Sequence, residues 1–98
     1  EYDDKDAIKF LAKSGNGLIL DALAAKLENS DFTIENIEKA IRQVEKEFSV
    51  QEGKLNQPVR AAVTGVVKGA GLYETMNIIG KEKCIRRLRK AVQKFQNS

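Results

Sequence analysis

The chain has 98 residues, 42% hydrophobic and 32% charged, with a formal net charge of +3; this length accommodates one domain with a modest core and excludes two. It contains no histidine, which removes the commonest general base and the commonest metal ligand together. The single cysteine, Cys84, excludes an internal disulfide, fits a reducing, cytosolic setting and reads as a small core residue of a helix. No apolar run is long enough to span a membrane. The opening "EYDDKDAIKF" is acidic and amphipathic and is no secretory signal. The lack of an initiator methionine suggests a piece of something longer.

In chain order, the pattern predicts helices throughout and no strand. "DAIKFLAKSG" is a short helix carrying Ile8, Phe10 and Leu11, ended by Gly15. Asp3, Asp4 and Asp6 gather at its start, where negative charge complements the helix dipole; that explains them better than a metal site does. "GLILDALAAKLENS" places Leu20, Leu23 and Leu27 on one side, and Asn29 and Ser30 close it. In "DFTIENIEKAIRQVEKEF" either Asp31 or Thr33 can accept from the free amides of the first turn. Ile34, Ile37, Ile41, Val44 and Phe48 then form one stripe at the helical period, so this helix reads as scaffold.

After the polar connection "SVQEGKLN", Pro58 is expected to start the next helix, where its missing N–H costs nothing. Val59, Ala62 and Val63 face inward, and Gly65 stops the helix. "VVKGAG" forms a loop. "LYETMNII" places Leu72, Met76 and Ile79 inward and stops at Gly80. "KEKCIRRLRKAVQKF" is the last helix, with Cys84, Ile85, Leu88, Val92 and Phe95 as its stripe. The expected fold is an all-α domain of about six short helices without internal repeats.

Charge divides this chain in two. Residues 1–53 hold 7 basic and 12 acidic residues, net −5, and residues 54–98 hold 10 basic and 2 acidic, net +8. The expected organisation is therefore one domain in which 1–53 supply an acidic scaffold and 54–98 a basic face for a polyanion. No catalytic apparatus is evident: "VVKGAG" is neither a phosphate loop nor a dinucleotide fingerprint. Binding fares better. Lys81, Lys83, Arg86, Arg87, Arg89 and Lys90, with Lys94 beyond them, suit phosphate contacts that confer affinity without sequence information. Arg60 is different: its planar fork can stack on a base or pair with a base edge, while the glycine-rich loop allows a nucleotide close approach. On composition, a surface ion pair explains Arg60 equally well.

The stretch "GKLNQPVRAAVTGVVKGAGLYETMNIIGKEKCIRRLRKAV" resembles the carboxy-terminal anticodon-binding region of bacterial-type glutamyl-tRNA synthetases, and "DFTIENIEKAIRQVEKE" resembles the preceding family helix. The family pattern runs Gly-Lys-Leu-Phe-x-Pro-Leu/Val-Arg-x-Ala-x-Thr-Gly, a short loop, Leu-Phe, Leu-Gly-Lys-Glu-Arg, then Arg-Leu. The resemblance implies that Arg60 and the stretch Lys68, Gly69, Ala70 and Leu72 lie against the anticodon of a tRNA. Three positions depart from the pattern. Ala70 stands where a proline is usual, Tyr73 adds a hydroxyl to the usual phenylalanine, and Asn56 replaces a common phenylalanine, so looser packing is expected before Pro58. The synthetase's class I catalytic motifs are absent from the chain. By the resemblance, the chain itself does no chemistry and holds no cofactor or metal. The parent would join glutamate to tRNA with ATP and Mg2+ in an N-terminal catalytic domain, as a cytoplasmic monomer with no membrane partner. The alternative is a helical protein-interaction module whose basic face meets an acidic partner.

Overall fold

A computed structural model describes residues 5–13, 15–66, 69 and 71–96. Asp3, Asp4, Lys68 and Ala70 lie outside the described residues. The described residues form six α-helices and no strand: α1 (Lys5–Ala12), α2 (Asn16–Glu28), α3 (Ile34–Glu47), α4 (Asn56–Thr64), α5 (Leu72–Ile79) and α6 (Lys81–Gln96).

Local chemistry accounts for most of the boundaries. Thr33, not Asp31, caps α3: its Oγ1 accepts the Asn36 N–H at 3.1 Å, satisfying one of the free amides of the first turn. Gly65 ends α4 at φ 84°, in the left-handed region open to glycine, and its N–H returns to the Ala61 carbonyl at 2.9 Å. Two boundaries differ from expectation. Helix α1 ends at Ala12, and Gly15 is the N-cap of α2 rather than the residue that stops α1. Helix α4 begins at Asn56, so Pro58 is its third residue rather than its first. It still lies within the opening turn, whose amides need no intrahelical acceptor. Arg60 is consequently the fifth helical residue, beyond the first turn. Ile34 and Phe48, expected in the core stripe of α3, are exposed because they stand at its two ends, the first helical residue and the C-cap.

The core draws on every helix: Leu11, Leu20, Leu23, Leu27, Ile37, Ile41, Val44, Val59, Val63, Leu72, Met76, Cys84, Leu88 and their neighbours form one cluster. Helix α2 packs along α6, α1 against α4, and α3 against α5 and α2. The acidic and basic stretches of sequence are therefore interleaved in one packed unit. Short polar links fix the remaining joints. The Asn77 amide donates to the Phe32 carbonyl at 2.8 Å, and the Lys81 ammonium to the Ser30 carbonyl at 2.9 Å. Helix α4 is the most enclosed element, with Pro58, Val59, Ala61, Ala62 and Val63 all buried. Only the face bearing Asn56, Arg60 and Thr64, spaced by four residues, and Gln57 reach towards solvent.

Candidate nucleic-acid interface

Arg60 is half-buried on that outer face, and its guanidinium lies against the loop that follows α4. A methyl group placed on Gly69 would stand 2.9 Å from Arg60 Nη1. Glycine at position 69 thus allows the planar head of Arg60 to rest on the loop backbone. The exit of α4 is fixed by Thr64, whose hydroxyl donates to the Arg60 carbonyl at 2.7 Å and accepts the Val66 N–H at 3.3 Å. The sequence expectation that joined Arg60 with Gly69 is matched by their proximity. Leu72 is placed otherwise. It is 4% exposed, so its side chain belongs to the core and cannot present itself to a nucleotide; it seats the start of α5 instead.

The six cations expected to meet an RNA backbone divide into two kinds. Lys83, Arg86, Arg89 and Lys90 are exposed on α6. Arg86, Arg89 and Lys90 line an open depression with Gln93 and with Asp21 of α2. Arg89 also pairs with Glu28 at 3.1 Å, each side chain about half exposed, where an ion pair contributes little stability and yields readily to another anion. Lys81 and Arg87 are half-buried and tie helices together. Arg87, read from the sequence as a cation of the outer face, turns towards α4 and donates from Nη1 to the Val63 carbonyl at 2.8 Å. That carbonyl is among the last four of α4, which lack an intrahelical donor, so a cation is favoured there.

A polar network beneath α4 goes beyond the sequence expectations. Glu45 of α3 is 1% exposed, and its Oε2 accepts the N–H groups of Gly53 at 3.0 Å and Leu55 at 3.1 Å. Leu55 is the N-cap of α4 and has no side-chain cap of its own. Arg42 Nε lies 3.1 Å from Glu45 Oε1, outside hydrogen-bond geometry, so their attraction is chiefly coulombic. Arg42 Nη2 donates to Asn56 Oδ1 at 2.6 Å, a short charge-assisted bond. The Asn56 amide also approaches the Tyr73 hydroxyl, Nδ2 donating at 3.4 Å. The looser packing expected at Asn56 is therefore not found. Two of the three departures from the family pattern, Asn56 and Tyr73, meet each other, and Arg42 supplies the charge that makes a half-buried amide favourable there. The one legible sign of this network was an acid, Glu45, next to the apolar stripe of α3.

Cys84 is fully buried, and its thiol lies 3.5 Å from the Met76 carbonyl. Burial pushes its pKa up from 9.0 to about 11, against a smaller lowering by the nearby Arg87 guanidinium. It is a core group rather than a nucleophile.

The sequence profile of the family described as anticodon binding domain matches residues 1–92. Taken with the helical fold, this settles the class: the chain belongs to the anticodon-binding domain family. Curated relatives that it matches include glutamate–tRNA ligases. That of Desulforudis audaxviator is 42% identical over 96 residues, covering 94% of this chain and 19% of the relative. That of Bacillus subtilis is 43% identical over 72 residues, covering 72% and 15%. Glutamate–tRNA ligase 2 of Fervidobacterium nodosum is 36% identical over 93 residues, covering 94% and 20%. The chain thus spans about a fifth of the length of the relatives it matches over most of its own. Among the described residues, no helix is long and apolar enough to cross a membrane.

Proposed function

We propose that this chain is the anticodon-reading module of a glutamate–tRNA ligase, and that the whole enzyme, linked to it in one chain, joins glutamate to tRNA. The observation that carries this reading is the Arg60 guanidinium resting on Gly69, in a domain whose last helix exposes Lys83, Arg86, Arg89 and Lys90. A planar donor fork lies at the exit of α4, and exposed cations on α6 could meet phosphates. Arg60 would read a splayed anticodon base by stacking or by an edge contact. Gly69 would let the strand come close, and the resemblance adds Lys68 and Ala70 to the same contact. Lys83, Arg86, Arg89 and Lys90 would hold the phosphates. Helices α1–α3 would serve as the scaffold. ATP and Mg2+ would act in the catalytic part of the parent and not here. The module works as a monomer in the cytoplasm.

Competition tests this. A labelled anticodon stem-loop of glutamate tRNA is bound to the chain and then challenged with unlabelled cognate tRNA or with a random polyanion of equal charge. Displacement by the tRNA at much lower concentration supports anticodon reading. Equal displacement by both would favour a basic face that accepts any acidic partner.

A further inference from the structure

We propose that Arg87 and Asn56, with Arg42 behind Asn56, are positioning residues for RNA recognition: they brace α4 at its two ends and so fix where Arg60 stands. This rests on α4 being the RNA-facing helix. A nine-residue helix is too short to hold its own geometry in water, and α4 has no side-chain cap at its start. Its placement must come from its neighbours: its apolar face packs in the core, Glu45 holds the turn before it, and two guanidiniums fix its ends. At the entry, Arg42 of α3 donates to Asn56 at 2.6 Å, and the same Asn56 amide reaches the Tyr73 hydroxyl of α5 at 3.4 Å. At the exit, Arg87 of α6 donates to the Val63 carbonyl at 2.8 Å. Arg60 lies between these anchors, four residues after one and three before the other. A small rotation or slide of α4 would lift its guanidinium from Gly69. Arg87 is thereby reassigned: it acts through α4 rather than by holding a phosphate.

The two roles are separable by experiment. Arg87→Gln and Asn56→Ala are each titrated with the glutamate anticodon stem-loop and with a scrambled loop, across a series of salt concentrations. Asn56→Ala leaves the Arg42–Glu45 pair in place, so the core is spared. The proposal expects preference for the cognate loop to fall about five- to tenfold, at the lower end of the range of one base-edge contact. Scrambled-loop affinity and the salt slope should not change. Without any RNA, amide exchange should quicken at Gly65 in Arg87→Gln and at Val59 in Asn56→Ala, whose N–H groups bond to Ala61 and Leu55 across the two ends of α4. Arg87→Lys, which keeps a donor and the charge, should restore protection at Gly65. Equal losses on both RNAs with a salt slope lowered by about 0.7 to 0.9 would make Arg87 a phosphate contact and overturn the proposal. So would unchanged exchange in both variants. If the unaltered chain showed no preference between loops, anticodon reading itself would fail, and the RNA-free exchange would still decide whether the brace exists.

Discussion

Arg60 and Gly69 form a pair in which one residue's value depends on what the other lacks. Arg60→Ala removes the fork and should cost about 1–3 kcal/mol of preference for the glutamate anticodon over a scrambled one. Scrambled-loop binding and the far-UV circular dichroism should be little changed, since Arg60 lies on the outer face of α4 and outside the core cluster. Gly69→Ala should act in the same direction by a different route. The new methyl would press on Nη1 from 2.9 Å and the flexible end of the arginine would move aside, while φ 158° at this position strains any residue with a Cβ. Thermal melts of Gly69→Ala should therefore lie somewhat below those of the parent, and discrimination should fall as well. Equal losses on both RNAs for Arg60→Ala would reduce Arg60 to one more backbone contact. Unchanged discrimination in Gly69→Ala would mean that the guanidinium keeps its place despite the methyl.

Among elements, the α3–α4 connection carries the most concentrated polar chemistry. Glu45 alone serves the Gly53 and Leu55 amides and faces Arg42. Glu45→Ala strands those donors and leaves the Arg42 charge without its partner, and should cost about 3 kcal/mol. Urea unfolding should show this as a lower midpoint at unchanged slope. A midpoint within the error of the parent would show that water replaces the carboxylate. Elements were legible in the sequence where their cause is local. The stripe Ile37, Ile41 and Val44 announces α3, Thr33 its start, Gly65 and Gly80 the ends of α4 and α5. What was not legible depends on residues far apart along the chain. Glu45 is buried only because the turn at 53–55 folds beneath α3, and Arg87 meets a carbonyl 24 residues earlier. The resemblance made Leu72 a contact residue, whereas the helical period set it inward with Met76, where the structure places its side chain. Of the candidate site, the nearness of Arg60 to Gly69 could be read from the short stretch between them. The sorting of the α6 cations could not, because it depends on which helix each flank of α6 meets.

The molecule as a whole behaves as a packed body with a basic side. Neutralising Lys83, Arg86 and Lys90 together should weaken every RNA about equally and lower the salt slope by roughly 0.7 to 0.9 for each phosphate that no longer meets a cation. An effect confined to the cognate loop would mean that these residues read bases. Stability at alkaline pH should report Cys84. The folded thiol titrates above its unfolded value of 9.0, so its contribution is fully present below pH 9 and is lost as pH rises towards about 11. Stability should be level up to pH 9 and then fall by on the order of 2 kcal/mol more in the parent than in Cys84→Ala. Identical alkaline profiles for the two proteins would place the thiol in contact with water.

The central claim is that the α4 outer face, the loop after it and the exposed flank of α6 together receive an anticodon strand. Chemical-shift mapping of the labelled chain with a glutamate anticodon stem-loop tests it most directly. The largest shifts are expected at Arg60, Thr64, Gly69 and Tyr73, smaller ones at Lys83, Arg86 and Lys90, and none at the groove between α2 and α3 lined by Lys26, Asn29, Lys39 and Gln43. Shifts centred on that groove, or shifts on α6 alone that a scrambled loop reproduces, would contradict it.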